Sequence, residues 1–543
     1  MIRRKNRLLS VSTAVVLSLA MALQAPGVVH ADISITYGTG STTYFVHNPT
    51  SNNATFVAAY YPPVGSTPTF TSPGVALNAL NTIAVDVSSI GALGANWVGS
   101  VVLSADQEIL AVARTAYTGK GTSGNGYGEE MISYAAFTSG STELYAPQII
   151  RLSGVNLSTS RMTIQNTTGS VANVYVTVYH SGTGYSRSPI TLQPYGSITL
   201  RTNIDADWPG VTLWNGNASA VVTATQPIAG FVERHWDVVS QNQNWAAGYA
   251  MPTPADAATK LYSPALFRNC VGGVCVLTVA STFNAYSSLF VQNTTGATNV
   301  ITITAIRRSP FQVLTNQIVQ SLPPYGAYLT NPFNNDNNPS GPLNPMYAEM
   351  GGNFLGSAII ESQAPVVGIG YIFNPPATAA QNTAGGYKLL TESGATHTIV
   401  APRFARVCSS CNDFTNIADF TEFGNLQIMN LDSVTVTLTT IEFVRNDGTT
   451  QFTLNASNQS TYFLPGESLT LGPGRSIAIN TRTGGSLDRG GGTGVTSPNL
   501  NTIFGSNFQG SVRVTAPSGA KIKAIVTMSR GAKQSDVYNA YNR

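Results

Sequence analysis

The residues that could do chemistry are sparse along this chain of 543 residues, and their spacing matches no catalytic motif. Beyond residue 31 the histidines are His47, His180, His235 and His397. None of them lies in the His-Glu-x-x-His pattern that binds catalytic zinc. They fall at unlike positions of a repeating sequence, so we expect ordinary structural histidines.

Carboxylates are equally sparse. Asp205 and Asp207 form the nearest pair, and Asp336 lies within the asparagine-rich stretch 334–338. Oxygen ligands on such loops could hold Ca²⁺, but neither stretch matches the twelve-residue calcium loop. A glycosidase would need two carboxylates held across a cleft. We therefore predict solvated loops, with no catalytic residue, no metal site and no cofactor, in a protein that is not an enzyme.

Four cysteines fall into two local pairs, Cys270 with Cys275 and Cys408 with Cys411. A Cys-x-x-Cys pair also occurs in redox enzymes and in halves of zinc sites. A zinc site would require both pairs to converge, although they occupy matching positions of successive repeats. In an exported chain short disulfide loops are more common, so we predict two local disulfides.

The tryptophans are unevenly distributed along the chain. Four of the five lie close together in the sequence, namely Trp208, Trp214, Trp236 and Trp245. Exposed indole rings stack on sugars and dominate binding interfaces, whereas buried ones fill a core. One interpretation therefore predicts a ligand patch at these four residues, and the other predicts core residues of a single repeat.

The N-terminus has the three parts of a secretory signal peptide. They are a basic head at residues 3–7, an uncharged apolar stretch at 8–23, and a cleavage pattern that ends at Ala31. The apolar stretch is shorter than the roughly 20 residues of a membrane-spanning helix. We expect cleavage after Ala31, an extracellular or cell-surface location, and no transmembrane segment in the mature chain.

The charge balance argues against one class of partner. Without the four basic residues of the predicted signal, 24 basic residues face 25 acidic ones, and only 10% of the chain is charged. Nucleic-acid binding depends on an excess of lysine and arginine, so we expect no nucleic-acid partner. The abundant threonine, glycine, proline and asparagine favour strands and turns.

Four sequence landmarks recur in the same order. The first is a strand that ends in arginine, at 146–151, 263–268 and 401–406. The second is a strand that runs into an asparagine, at Asn48, Asn166, Asn293 and Asn430. The third is a Leu-x-Pro-x-x-small turn, at 192–197, 322–327 and 471–476, with a version lacking proline at 77–82. The fourth is a Gly-Ser-like step into a long apolar strand, at 99–107, 219–227, 356–365 and 510–516.

The repeat length predicts independent domains. The recurring asparagines are 118, 127 and 137 residues apart, which is the size of one β-sandwich. Segments such as 173–179 alternate apolar with polar residues, as strands with one buried face do. We predict an all-β fold, a tandem array of four antiparallel immunoglobulin-like β-sandwiches after a cleaved signal peptide. The boundaries are 1–31 for the signal, then 32–140, 141–257, 258–392 and 393–543, the last with insertions. The short linkers predict a semi-rigid rod or arc.

The repeats resemble a known group of domains. Asn-Thr-Thr-Gly at 166–169, the alternating strand after it, the Leu-x-Pro-Tyr-Gly turn and the apolar strand 219–228 are similar to bacterial extracellular immunoglobulin-like repeats of the cell-adhesion-related type. The resemblance extends over the mature chain and is best at 144–371, while the first and fourth repeats depart from it. It implies a spacer, adhesive or cell-envelope role and carries over no site residues.

These observations together predict a secreted or cell-surface structural or adhesive protein. Exposed strand edges could pair between copies, which would give a filament or an envelope layer. The expected partners are other surface proteins, copies of the same chain or extracellular glycans. The alternative is a carbohydrate-binding module array centred on the tryptophan-rich second repeat.

Overall fold

The structure, a computed structural model, describes residues 13–19, 39–118, 130–151, 157–209, 211, 214–238, 243–374, 383–409, 419–461, 468–482, 503–530 and 534–543. These residues form an all-β protein of antiparallel strands, with a single short α-helix, α1 (Pro345–Met350), among them. Within the same ranges no helix has the length and apolar character needed to cross a bilayer. The predicted all-β class is confirmed.

The first nine strands, called set 1, form two sheets around a common core. They are β1 (Thr13–Leu19), β2 (Thr39–His47), β3 (Ala54–Tyr61), β4 (Phe70–Thr71), β5 (Val75–Leu77), β6 (Thr82–Asp86), β7 (Gly99–Ala105), β8 (Leu110–Thr118) and β9 (Glu130–Ala135). One sheet has the order β1-β7-β3-β4 and the other the order β6-β2-β8-β9. Buried Phe56, Leu103 and Ala113 come from both sheets and share that core.

Set 2 follows with eight strands and set 3 with eight more. Set 2 comprises β10 (Ser141–Arg151), β11 (Leu157–Asn166), β12 (Ala172–His180), β13 (Thr183–Ser186), β14 (Ile190–Leu192), β15 (Ser197–Arg201), β16 (Gly216–Val238) and β17 (Gln243–Ala250). Set 3 comprises β18 (Ala258–Cys270), β19 (Phe283–Asn293), β20 (Asn299–Arg307), β21 (Gln312–Val313), β22 (Ile318–Leu322), β23 (Ala327–Thr330), β24 (Asn353–Asn374) and β25 (Thr383–Lys388).

Set 4 contains the remaining described strands. They are β26 (Thr398–Cys408), β27 (Phe420–Asn430), β28 (Val436–Thr437), β29 (Thr440–Arg445), β30 (Thr450–Asn455), β31 (Thr470–Leu471), β32 (Ser476–Asn480), β33 (Asn507–Thr515), β34 (Ile522–Arg530), β35 (Gln534–Asn539) and β36 (Tyr541–Asn542).

The same pairing scheme occurs in every set. In set 2 the first strand, β10, pairs with the first half of β16, and the second half of β16 pairs with β11 and β17. In set 3 the strands β18, β24, β19 and β25 repeat this arrangement. Sets 1 and 4 split the long strand in two, into β7 with β8 and into β33 with β34. The long strand therefore runs from one layer of each sandwich-like set to the other.

The alternation in the sequence decides which face of each strand is buried. In β12, Ala172, Val174 and Val176 are buried, while Asn173 and Tyr175 between them are exposed. Successive side chains of a strand point to opposite faces, so the apolar face packs against the facing sheet. The core of set 2 is the result.

The four sets form a closed ring. Their last strands meet about a common axis, because β9 and β25 each lie beside both β17 and β35. The two ends of the chain complete the closure, where the Tyr541 hydroxyl donates to the carbonyls of Ala111 and Ala136, 2.5 and 3.0 Å away. Arg543 Nε lies 3.1 Å from a carboxylate oxygen of Glu108. The predicted rod or arc is therefore wrong, because the surfaces at the two ends of the array bind each other.

The segment predicted to be a signal peptide contributes a strand. The strand β1 pairs antiparallel with β7, with Thr13 opposite Ala105 and Leu19 opposite Gly99. It occupies the position that β10, β18 and β26 hold in the other sets. Cleavage of the signal stays a prediction.

Candidate functional site

A cavity of about 360 Å³ lies on the ring axis, and all four sets contribute to its wall. We call it the axial cavity. Its wall is formed by the ends of β9, β17, β25 and β35, by the segments that follow β9, β17 and β35, and by Lys523 of β34. It has this position because the last strand of each set lies beside those of its two neighbours. A site of this kind exists only when the ring is closed.

Small residues let the four axial strands approach one another. A Cβ atom added to Gly386 of β25 would lie 2.6 Å from the carbonyl oxygen of Gly248 in β17. A Cβ atom on Gly385 would lie 2.3 Å from a methyl carbon of Val537 in β35. At contacts this short the neighbouring atoms would have to shift, so glycine lets the axial strands pack closely at both positions.

The charged groups of the axial cavity are the ion pair of Lys388 with Asp256 and a second ammonium, that of Lys523. Lys388 Nζ donates to both carboxylate oxygens of Asp256, each at 3.1 Å. Burial acts to raise the pKa of Asp256, but the Lys388 ammonium and the Thr253 amide hold it below its ordinary value. Burial and the nearby positive charge of Lys388 lower the pKa of Lys523 to about 8. Lys523 Nζ donates to the Ser393 carbonyl at 2.7 Å and forms no ion pair with a described carboxylate.

The axial cavity offers the ammonium of Lys523 to a small ligand. The described wall contains no histidine or cysteine, and its one carboxylate is held by Lys388. A half-buried ammonium in a small polar cavity is suited to a small anion.

The predicted tryptophan patch is wrong for the three residues whose side chains are described. Trp208, Trp214 and Trp236 are only 2%, 3% and 5% exposed and belong to the core of set 2. Trp208 Nε1 donates to the Arg201 carbonyl at 2.9 Å, and its ring meets that of Trp214 edge to face at 5.2 Å. The large apolar area of an indole favours this burial. The side chain of Trp245 lies outside the described residues.

The cysteine prediction is confirmed for one pair. Cys270 and Cys275 form a disulfide with their Cα atoms 5.2 Å apart. Cys408 is also disulfide-bonded, while Cys411 lies outside the described residues. The Cys270–Cys275 bond closes a loop at the end of β18.

The other candidate residues have structural contacts. Asp205 and Asp207 form ion pairs with Arg151 and Arg201, at 3.0 and 2.9 Å. The Asp336 carboxylate accepts hydrogen bonds from Tyr328, Tyr347 and the backbone of Asn331. His235 Nδ1 lies 2.9 Å from a carboxylate oxygen of Glu130, and both side chains are buried. Among the described residues no three histidine, cysteine, aspartate or glutamate side chains could together hold a metal ion.

Sequence reasoning did not find Lys388, Lys523 or Asp256. Each is a single charged residue in an ordinary strand or turn, and no spacing rule connects them. The only signal was the recurring Gly-Tyr step at the last strand, seen at 248–249 and 386–387, which marks the axis without identifying the charges beside it.

Comparison with known proteins gives no family. No family model matches the chain and no curated protein matches it. Among solved structures, one match is entitled "Crystal Structure of Thermotoga maritima 1070", at 18% sequence identity and a TM-score of 0.18. The match covers 21% of this chain and 94% of that one.

Proposed function

We propose that this chain is a secreted or cell-surface structural or adhesive protein, built from four immunoglobulin-like sandwich repeats that close into a ring. It has no catalytic role in this proposal. The ring presents its outer loops to other surface molecules. The observation that carries the proposal is that recurring residues of the sequence contact one another between neighbouring sets.

The landmarks that recur along the sequence are used in the joints between sets. A serine of the fourth landmark donates its hydroxyl hydrogen to a carbonyl of the third landmark in the next set. The copies are Ser100 to Tyr195 at 2.6 Å, Ser219 to Tyr325 at 2.7 Å and Ser357 to Gly474 at 2.8 Å. Two of the four recurring landmarks therefore contribute to assembly of the ring, which favours a scaffold over an enzyme.

The accepting turn has the same backbone conformation in every set. Leu80, Tyr195, Tyr325 and Gly474 have φ values of 56°, 59°, 55° and 68°. Residues other than glycine rarely adopt this left-handed region. In the three joints described above, the turn directs its carbonyl at the serine of the preceding set. The left-handed backbone conformation of this turn therefore accompanies its contact with the preceding set.

An adhesive contact is supported by the loop that the disulfide closes. Val271 and Val274 within this loop, and Val276 and Val279 just after it, are exposed, with Val274 at 65%. Exposed apolar side chains that group together are typical of an interaction site. The Cys270–Cys275 bond limits the freedom of this loop, which lowers the entropy lost on binding.

Two measurements test the proposal. Cell fractionation of the native host should find the protein in the medium or on the cell surface. Purified protein on beads should adhere to host cells, and the double change Val274→Asp with Val276→Asp should reduce adhesion. The control is Val434→Asp, because Val434 is similarly exposed (60%) in set 4. Equal adhesion by all three proteins would contradict the adhesive role.

Ring closure argues against a filament in which copies of the chain join head to tail. Head-to-tail joints either propagate into fibres or close, and here they close within one chain. We therefore expect a monomer by light scattering at high concentration, and any layer must use the outer loops or strand edges. A concentration-dependent polymer whose joints break in the same variants as the ring would contradict this.

A second candidate function is favoured by Lys523, namely binding of a small anion in the axial cavity. Phosphate or citrate should raise the melting temperature of the protein, and Lys523→Met should abolish that rise. Lys260→Met is the control, since Lys260 is an exposed lysine paired with Glu361 outside the cavity. A rise that survives Lys523→Met would remove the cavity as the site. No comparable observation favours carbohydrate binding by the tryptophans.

A further inference from the structure

In sets 2, 3 and 4 a tyrosine of the last strand donates a hydrogen bond to a backbone carbonyl of the first strand. Set 1 lacks this hydrogen bond among its described residues. The Tyr249 hydroxyl donates to the Gln148 carbonyl of β10 at 2.6 Å. The Tyr387 hydroxyl donates to the Ala265 carbonyl of β18 at 3.0 Å. In set 4 the Tyr538 hydroxyl donates to the carbonyl of Arg403 in β26. Each accepting residue directly follows the proline of the first landmark.

Tyr134 is the corresponding residue of set 1. It pairs with Ala113 of β8, and Tyr249, Tyr387 and Tyr538 occupy the equivalent register opposite Val232, Gly370 and Val526. Its hydroxyl oxygen is buried and has no hydrogen-bond partner. A buried hydroxyl without a partner is costly. Set 1 therefore has the anchoring residue but not the strand backbone that it should hold.

The strand β1 differs from its three counterparts at this point. In β10 two residues, Pro147 and Gln148, lie opposite the single residue Ser219 of β16, so the strand bulges there. The strands β18 and β26 bulge in the same way, between Ser263 and Leu266 and between Ala401 and Phe404. In contrast, β1 pairs with β7 residue by residue from Thr13 to Leu19. It lacks the bulge that brings a carbonyl to the tyrosine.

A second segment of the chain matches the three bulged strands. Their pattern is apolar-x-small-Pro-x-apolar-apolar-basic, and the copies are Leu144–Arg151, Leu261–Arg268 and Ile399–Arg406. Residues 23–30, Leu-Gln-Ala-Pro-Gly-Val-Val-His, follow the same pattern at every position. The apolar positions of the three described copies are buried, as Leu144, Leu261 and Ile399 show. Residues 23–30 lie just before β2, as the other copies lie just before β11, β19 and β27.

We infer that the mature protein begins at Leu23 and that residues 23–30 replace β1 as the first strand of set 1. In this arrangement Pro26 forms the bulge on the edge of β7, and the Gly27 carbonyl accepts the hydrogen bond of the Tyr134 hydroxyl. The edge of β7 holds one strand at a time, so β1 and residues 23–30 are alternatives. The inference rests on the export part of the proposed function.

The processing site follows from the same pattern. Ala20-Met21-Ala22 is a small-x-small sequence, which is what a signal peptidase requires. Water adds across the Ala22–Leu23 peptide bond, giving a carboxylate on Ala22 and a free amine on Leu23. Cleavage after Ala31, which the sequence first suggested, would remove residues 23–30 and leave the Tyr134 hydroxyl and the edge of β7 uncovered.

The N-terminus of the exported protein decides the processing site. N-terminal sequencing or intact mass of protein from the culture medium or cell surface should give Leu23. A protein that begins at Asp32 would overturn the inference but leave export intact. Protein found only inside the cell, with Met1 retained, would overturn the proposed export. In that case the strand is still tested by purified chains.

Two purified chains, 23–543 and 32–543, test the strand itself. We expect the longer chain to melt at least about 5 °C higher. A synthetic peptide of residues 23–31 should raise the melting temperature of the shorter chain, or its refolding yield if it does not fold alone. The same peptide with Val28→Asp and Val29→Asp should have no effect. Equal melting temperatures of the two chains, or no response to the peptide, would overturn the inference.

The tyrosine gives a matched control within the protein. Tyr134→Phe should lower the melting temperature of chain 23–543 and leave that of chain 32–543 unchanged. Tyr249→Phe should lower both equally, because its partner strand β10 is present in both. An equal effect of Tyr134→Phe on the two chains would show that the Tyr134 hydroxyl holds no part of residues 23–30.

Discussion

The joint between sets 1 and 2 and the joint between sets 2 and 3 occupy equivalent positions in the ring. Their buried side chains differ in chemical character. Between sets 1 and 2 a buried ionic network lies beside apolar contacts such as that of the Tyr134 and Phe231 rings, 4.1 Å apart. Between sets 2 and 3 the buried contacts are mainly aromatic. Both joints use β16, whose successive residues Glu233, Arg234, His235 and Trp236 alternate between them. Since side chains of a strand alternate in direction, Glu233 and His235 face set 1 while Arg234 and Trp236 face set 3.

The ionic joint is a buried network in which Tyr117 and Glu130 of set 1 contact charged residues of set 2. Arg161 Nη1 lies 3.3 Å from a carboxylate oxygen of Glu233, and the Tyr117 hydroxyl donates to the same carboxylate at 2.8 Å. His235 Nδ1 lies 2.9 Å from Glu130. Burial acts to raise the pKa of Glu233, but the Arg161 guanidinium and the hydrogen bonds of His235 and Tyr117 hold it below its ordinary value.

The aromatic joint continues the core of one set into the next. Tyr371 and Phe373 of set 3 belong to the same core as Trp236 of set 2. The Arg234 guanidinium lies over the Trp236 ring, 4.0 Å from its centre. The Tyr371 hydroxyl donates to the Gln148 side chain at 2.9 Å.

The difference between the two joints suggests how each of four similar sets pairs with the correct neighbour in the ring. Apolar surfaces bind many partners, whereas a buried charge is costly against any surface but its complement. Set 1 also has such a charge at the joint with set 4, where Arg114 contacts Glu422, which pairs in turn with Arg403 of set 4. We propose that the ionic joints fix the position of set 1 and the apolar joints provide most of the stability.

The largest expected effect is in the ionic joint. Arg161→Ala leaves Glu233 buried without its main countercharge, so the free energy of unfolding should fall by about 3–5 kcal/mol. Urea unfolding measures this change. The control is Lys260→Ala, which breaks an exposed pair with Glu361 and should cost less than about 1 kcal/mol. Similar losses for the two variants would contradict the distinction between buried and exposed pairs.

A smaller effect is expected from the close approach at the aromatic joint. Gly386→Ala places a Cβ atom 2.6 Å from the Gly248 carbonyl oxygen, and overpacking of this kind costs about 1–3 kcal/mol. Gly91→Ala is the control, because nothing lies within 4 Å of a Cβ atom there. If thermal unfolding shows no difference between them, the axial strands can separate without loss.

The polar joint between sets 4 and 1 should be sensitive to pH through His47. Burial, together with the charge of Arg543, lowers the pKa of His47 to about 3. The unfolded chain takes up a proton near pH 6.5 and the folded chain does not. Stability should therefore be full above pH 6.5 and fall by about 1.4 kcal/mol per pH unit as the pH drops towards 3. Urea unfolding of His47→Gln between pH 7 and 4 should show this slope reduced, and an unchanged slope would count against it.

The smallest effect should come from one hydroxyl in the aromatic joint. Tyr371→Phe keeps the ring contacts and removes only the hydrogen bond to Gln148, so we expect a loss of about 1 kcal/mol. Thermal unfolding at several salt concentrations should show a loss that salt does not alter. A loss as large as that of Arg161→Ala would mean that polar groups dominate both joints.

Parts of the fold and the site could be predicted from local sequence. The alternation in 173–179 predicted a strand with one buried face, and β12 confirms it. The spacing of Cys270 and Cys275 predicted a disulfide that the structure contains. The tryptophan patch was wrong, because composition shows that large rings are clustered but not which side of a sheet they occupy.

Short-range patterns determined the strands, the turns, the local disulfide and the order of the repeats, since period-2 alternation and turn residues act over a few positions. Only the tertiary structure decided that the array closes. Closure depends on pairs such as the Ser133 hydroxyl with Asp536, 2.5 Å apart in space and 403 residues apart in sequence. It also depends on the room that Gly386 leaves for Gly248. No local pattern encodes whether two distant surfaces fit, so the ring, the axial cavity and the missing partner of Tyr134 became visible only in three dimensions.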